Sequence, residues 1–173
     1  NLGRSESKMQ DEYLDLVNEE DKVIGRKRRS EVYKLNLSNF RVINVFIKNS
    51  KDQLWIPRRG AAKRIYPLCL DMSVGGHVES GESYEDALER EIKEEINIDV
   101  KKVKCKFLKK LTPKDGVSAF MKIYEILLDK VDYNKNDFVE FFWLTPKEAL
   151  EKIKKDKAKS DLPKLVRIIY LKK

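Results

Sequence analysis

The side chains that bind transition metals most readily are scarce in this 173-residue sequence: one histidine, His77, and two cysteines, Cys69 and Cys105. Neither cysteine has metal-ligand spacing, so a zinc centre built from thiolates and imidazoles is excluded. Two cysteines also make no disulfide framework, and a pair of reduced thiols is expected rather than one bridge. No run of about eighteen apolar residues exists, so no transmembrane span is expected. The segment Asn1 to Gln10 is polar and has no apolar core of the kind a secretory signal needs. These absences together point to a cytoplasmic globular chain. Since the first residue is not methionine, residues 1–11 read as a tail, either a processed end or a remnant of expression, with Met9 a candidate original start. Residues 12–173 read as a single domain, with no internal repeat and no interdomain linker.

Charge is plentiful. Charged residues make up 38% of the chain and the formal net charge is +8, which suits anionic partners such as phosphates or nucleic acid. Many of the lysines (Lys101, Lys102, Lys104, Lys106, Lys109, Lys110) alternate with or flank apolar residues, as on the solvated face of a strand. A generic solvated surface is therefore favoured over a dedicated nucleic-acid patch.

One stretch breaks the ordinary rules. A double glycine, Gly75-Gly76, opens a loop that runs into a helix from about Tyr84 to Ile96. At ~100° per residue the apolar residues Tyr84, Ala87, Leu88, Ile92 and Ile96 share one broad arc of that helix. Glu91 and Glu95 fall inside the arc and Glu94 sits on its edge. Carboxylates on a core-facing stripe are costly without a positive partner. Arg90 and Lys93 point to the other side, which leaves a bound cation as the better candidate. Ser83 with Asp86 three residues on reads as the N-terminal cap, and Asn97 as a left-handed residue that ends the helix. The three carboxylates thus crowd the negative end of the helix dipole, where acids are disfavoured. Oxygen-only ligands there suit magnesium, manganese or calcium rather than zinc.

Around this stretch the chain alternates strand and helix patterns. Glu12 to Asn18 and Lys22 to Gly25 read as an antiparallel strand pair, followed by a short helix from Ser30 to Leu35. Arg41 to Lys48 is nearly all apolar, the pattern of a central strand buried on both faces, and turns through Asn49 to Asp52 into Gln53 to Pro57. A loop with four positive charges follows, Arg58, Arg59, Lys63 and Arg64, and both phosphate binding and plain solvation fit it. Pro67 to Val74 reads as a short strand. Beyond the acidic helix come strands at Val100 to Leu111, Val117 to Leu128 and Phe138 to Leu144. Glu140 interrupts the last of these, either as an extra ligand or base or as an exposed edge position. Thr145 and Pro146 start a helix to about Lys155, and a second covers Asp161 to Leu171. This order predicts an α/β/α sandwich with a mixed central sheet flanked by helices.

Gly76, five residues, Glu82, seven residues, then Arg90-Glu91-Ile92-Lys93-Glu94-Glu95-Ile96-Asn97-Ile98 resembles the Nudix signature. Only the last glycine of that signature departs, as Asn97, the next-best residue for a left-handed helix end. Residues 15–25, 67–83 and 140–148 further resemble the branch of Nudix proteins related to isopentenyl-diphosphate isomerase. The isomerases carry a catalytic cysteine in a Ser-Val-Cys-Gly-His-Pro segment. Here that segment is Ser73-Val74-Gly75-Gly76-His77-Val78, with Gly75 at the cysteine position. At the front, where the isomerase supplies a metal-binding histidine, this chain has Phe40 or its neighbours. The isomerase reading is disfavoured, and His77 reads as a loop residue without a catalytic role.

The resemblance implies a hydrolase that cleaves a diphosphate linkage in a nucleoside diphosphate derivative or similar small molecule, with Mg2+ or Mn2+ as cofactor. It implies Glu91, Glu94 and Glu95 as metal ligands, with Glu91 and Glu94 as the catalytic carboxylates and Glu91 the first choice for base. A carbonyl of Gly75 or Gly76 is a further ligand candidate. Glu82 and Arg90 are implied to pair and hold the loop, with Gly76 structural beside them. Glu79 reads as a solvated loop acid. Arg58, Arg59, Lys63, Arg64 and Glu140 are the candidate substrate-binding residues. An RNA-end or cap-processing enzyme and a non-catalytic nucleotide-binding relative are the alternatives. A homodimer fits the family analogy, a membrane partner does not, and nucleic acid is the weaker partner.

Overall fold

A computed structural model describes residues 11–171. The expected tail, Met9 included, lies outside the described residues apart from Asp11, whose carboxylate accepts from the backbone N–H and hydroxyl of Ser30 at 2.8 and 2.6 Å.

The elements are β1 (Tyr13–Val17), β2 (Val23–Arg28), α1 (Arg29–Lys34), β3 (Arg41–Lys48), β4 (Leu54–Arg59) and β5 (Val74–His77). They continue with α2 (Tyr84–Ile96), β6 (Cys105–Leu111), β7 (Phe120–Leu127), β8 (Phe138–Leu144), α3 (Pro146–Ile153) and α4 (Asp161–Val166). A π-helical turn, Arg167–Leu171, extends the last helix. Strands β1 and β2 form a separate antiparallel hairpin, while the main sheet runs β6-β7-β3-β4-β8. It is mixed, because β3 and β7 are parallel and the other pairs antiparallel.

β3 is central, as its nearly all-apolar run predicts. Its Ile43, Val45 and Ile47 pack with Ala87, Leu88, Ile92 and Ile96 of α2 in one core cluster. On the opposite face Phe46 packs with Leu70, Met72, Met121 and the α3–α4 residues Ala149, Leu162, Leu165 and Val166. The expected sandwich is therefore present, with α2 on one side of the sheet and α3–α4 on the other. One edge of β3 is held along its length by β7, from Arg41–Phe120 to Lys48–Leu127. Its other edge is divided: β5 pairs with Val42 to Val45, whereas β4 pairs only at Lys48. The two partner strands fork apart between these points.

Three expectations change. Gly75 and Gly76 lie in β5, opposite Asn44 and Ile43, and not in a loop. The strand expected from Val100 starts only at Cys105, because the Asp99 side chain caps Lys101 N at 3.0 Å and winds Val100–Lys102 into a 3-10 turn. Arg58 and Arg59 are the last residues of β4, so the basic loop is shorter than the charge run suggests. Cys69 and Cys105 are both free thiols. Among the described residues no helix is long and apolar enough to cross a membrane.

Candidate active site

Helix α2 is capped as the sequence predicts. Ser83 and Asp86 form a reciprocal capping box, and Asn97 ends the helix in the left-handed region at φ 57°, ψ 32°. Fixing both ends fixes the phase of the helix, and the phase turns Glu91 and Glu95 inward, 4% and 6% exposed. Both line a cavity of about 360 Å³. Glu94 lies on the helix flank and is not among the residues lining it. Its Oε2 stands 3.9 Å from Arg90 Nη1.

Arg90 does not turn away from these acids, contrary to the helical-wheel expectation. Its Nη1 donates to Glu91 Oε1 at 2.7 Å while Nε and Nη2 grip both oxygens of Glu82 at 2.8 Å each. Nη2 also reaches the His77 carbonyl at 3.1 Å. The wheel places Cα directions only. A guanidinium on a long stem can fold back across its own helix. The Glu82–Arg90 pairing is as expected, and Arg90 in addition neutralises Glu91. Burial works against the guanidinium's charge, but Glu82, Glu91 and Glu79 outweigh it and raise its pKa, so Arg90 stays a cation.

The double glycine lets β5 lie close against α2. A Cβ at Gly76 would sit 2.3 Å from the Glu91 carboxyl carbon and 2.5 Å from its Oε1. We expect Gly76→Ala to displace Glu91 and to destabilise the fold by about 1–3 kcal/mol, the cost of overpacking. Urea unfolding checks this, and an unchanged midpoint would show that Glu91 swings aside freely.

Glu12, Glu79, Glu91 and Glu95 give the cavity an acidic side. Burial pushes the Glu12 carboxyl up to about 7, with Arg29 opposing and Glu79 and Glu91 adding to the rise. The same cavity is also lined by the cations Arg29, Arg59, Lys63, Arg64 and Lys159. Arg59 is braced by Asp71 at 2.9 Å and by the Ile65 carbonyl at 3.0 Å, and Lys63 pairs with Asp137 at 2.6 Å. Arg58 points elsewhere: it forms a bidentate pair with Asp156 at 2.8–2.9 Å and binds Glu140 Oε2 at 2.5 Å. Neither Arg58 nor Glu140 lines the cavity. Glu140 is an exposed side chain on the edge strand β8, directly opposite Arg58.

His77 lies on the cavity wall with Tyr33 and Phe40. Tyr33 and His77 share a hydrogen bond of 2.7 Å between Oη and Nε2, and the Phe40 ring stands 5.8 Å from the imidazole. Burial holds the imidazole pKa down to about 3, so it is neutral at ordinary pH. His77 is the last residue of β5, not the loop residue expected, and it packs against Tyr33 and Phe40.

Several cavity residues carry no motif. Glu12, Arg29, Tyr33 and Lys159 come from opposite ends of the chain and meet only in the fold. Asn44 had a signal, being the one polar residue inside the apolar run of β3.

A cation fits the donor set in part. Glu91 and Glu95 are buried oxygen donors on the cavity wall, and Gly76 lies tight against the Glu91 carboxylate. Yet among the described residues no three acidic, histidine or cysteine side chains are arranged to hold a metal ion.

The fold and the site now define a class, an α/β/α sandwich with an acidic helix packed on a double-glycine strand. The sequence profile of the NUDIX domain matches residues 38–166, and the chain belongs to the Nudix family of hydrolases. It is 61% identical over 166 residues to an uncharacterized Nudix hydrolase of Nostoc sp., covering 94% of this chain and 98% of that one. A Nudix hydrolase of Deinococcus radiodurans is 44% identical over 163 residues, covering 92% and 95%. A crystal structure of a Deinococcus radiodurans protein superposes with a TM-score of 0.86 at 43% identity, covering 92% and 99%. The expected isomerase likeness is distant: an isopentenyl-diphosphate Delta-isomerase of Salmonella arizonae is 28% identical over 92 residues, 53% of this chain and 51% of that one.

Proposed function

We propose that the chain is a divalent-metal-dependent hydrolase that cleaves a diphosphate linkage in a nucleoside diphosphate derivative or similar small metabolite. One observation carries this reading: two buried carboxylates, Glu91 and Glu95, open onto the same cavity as a bank of arginines and lysines. A diphosphate would suit such a cavity, with Glu91 and Glu95 holding the cation that accompanies it and the basic side chains meeting its remaining charge.

Glu91 and Glu95 would hold the Mg2+ or Mn2+, joined by Glu94 after a change of side-chain rotamer and by a carbonyl of β5. The ion's contribution when bound is to neutralise phosphate charge and to acidify water. The chain's own residues do the rest. Glu91, or Glu94, accepts the proton of the attacking water. Arg90 holds Glu91 Oε1 and so orients that carboxylate. The fixed pairs on Arg59 and Lys63 orient two cations toward the substrate without a large entropic cost. Arg64, with no ion pair among the described residues, is the third.

Turnover of a panel of diphosphate-containing metabolites and capped RNA with magnesium or manganese tests the reading. Release of phosphate products from a small metabolite supports it, whereas exclusive activity on capped RNA would favour the RNA-processing alternative. No turnover of any member would favour a binding protein. An isomerase is disfavoured because Gly75 has no thiol, and a Cβ there would meet Asn44 Oδ1 at 2.8 Å.

The basic residues divide in a testable way. Arg59→Ala should raise KM roughly tenfold, the loss of one charge-assisted hydrogen bond. Arg58→Ala should leave KM unchanged, since its partners Asp156 and Glu140 lie outside the cavity. Equal KM values in wild type and Arg59→Ala would remove this side of the cavity from the substrate site.

A further inference from the structure

Asn44 is a polar side chain that the fold satisfies poorly. It is 3% exposed, sits in the middle of the central strand β3, and lines the cavity. Its Nδ2 donates only to the thioether of Met121, at 3.5 Å, and its Oδ1 accepts no hydrogen bond among the described residues. Sulfur is a weak acceptor, so a primary amide with two donors and two lone-pair sites is left almost bare. A buried carboxamide in this condition costs stability that a leucine would not. The surroundings are arranged to keep it there. Gly75, its partner across the β3–β5 ladder, leaves room for the amide, and any side chain at that position would run into Oδ1 at 2.8 Å.

The neighbouring groups indicate what the amide meets. Residue alternation puts Asn44 on the face of β3 away from Ile43 and Val45, and so away from α2 and its glutamates. On that face the cavity is lined by Met72, Ser118, Arg59 and Lys159. Asp71, 4% exposed, holds Arg59 at 2.9 Å and Lys159 at 3.8 Å. Lys159 is further fixed through its backbone N–H to the Leu70 carbonyl at 2.9 Å. A donor-bearing amide lining the same cavity as two positioned cations matches an anionic oxygen.

We propose that Asn44 is a substrate-contacting, specificity-determining residue whose Nδ2 donates to an anionic oxygen, phosphate or carboxylate, held between Arg59 and Lys159. Turning the amide by half a revolution exchanges its ends and presents both N–H donors to the cavity. The inference rests on reading the cavity as a diphosphate site, and it adds that the substrate reaches past α2 to the opposite face of β3.

Titration calorimetry with inorganic pyrophosphate in the absence of divalent metal separates this proposal from the hydrolase reading. Wild type and Arg58→Ala should bind at millimolar concentration. Asn44→Leu should bind roughly tenfold more weakly, for one lost hydrogen bond, and unfold at the same or a higher temperature. Asn44→Asp, nearly isosteric, should bind roughly a hundredfold more weakly, because it sets a carboxylate against an anion. In turnover of the wild type's best diphosphate, both variants should raise KM more than they lower kcat. Unaltered pyrophosphate affinity in Asn44→Asp, or no binding to wild type, overturns the proposal. So does Asn44→Leu with a lowered unfolding temperature and an intact KM, which would make Asn44 a packing residue. Pyrophosphate binding by a wild type that hydrolyses nothing in the panel would overturn the hydrolase reading alone.

Discussion

Glu95→Gln is expected to give a folded protein with hydrolysis reduced roughly 10³-fold, a loss of about 4 kcal/mol in transition-state stabilisation. Glu95 is 6% exposed on the cavity wall, and its place on α2 is set by a helix capped at both ends. The substitution keeps the shape of the side chain and removes its charge, so core packing is retained. What is lost is the negative oxygen that, on the proposed reading, would attract a divalent cation. The unfolding temperature should stay level or rise, since an inward carboxylate is expensive in the apo protein. Manganese titration of the variant should show a weakened site. Undiminished turnover at saturating magnesium would remove Glu95 from the metal site. Glu94→Gln is the informative companion, because Glu94 does not line the cavity. A smaller loss there would mark it as a secondary ligand.

The features legible in the sequence share one property: they are local. Ser83, Asp86 and Asn97 bound α2 because capping chemistry acts within a turn of helix, and the inward phase of Glu91 and Glu95 follows from helical periodicity alone. The apolar run from Val42 to Ile47, interrupted only by Asn44, marks β3 as central for the same reason. What was hidden depends on partners distant in the chain. Gly75 and Gly76 read as loop because glycine has weak strand propensity, yet β3 pairs with them and α2 needs the room they leave. The charge run from Arg58 to Arg64 looks uniform in sequence. Strand alternation splits it, sending Arg58 to Asp156 and Arg59 toward Asp71 and the cavity. Glu140 could not be placed until β8 was seen to be an edge strand. Lys159 owes its position to a bridge between Leu70 and Ala158, eighty-eight residues apart, which no motif records.

Arg90→Ala should produce the largest loss of stability, about 3–5 kcal/mol, because it strands charges already buried. Three of the guanidinium nitrogens are engaged: Nε and Nη2 with Glu82, Nη2 with the His77 carbonyl, and Nη1 with Glu91. Arg90 and Glu91 are 11% and 5% exposed at their side chains, and Glu82 is 19% exposed, so water replaces little of what is lost. Such a cost is a large share of the 5–15 kcal/mol that holds a typical domain together. Arg90→Lys restores one charge without the planar fork, so it should recover only part of the stability. Urea unfolding of the three proteins gives the ranking, and equal midpoints would reduce the cluster to a surface feature. A second measurement ties the cluster to the proposed chemistry. Arg90 supplies Glu91 with a positive partner, which is also what a divalent cation would supply. Magnesium or manganese should therefore raise the midpoint of Arg90→Ala by more than that of wild type. An equal rise would mean that Glu91 does not carry the metal, and that its partnership with Arg90 is structural.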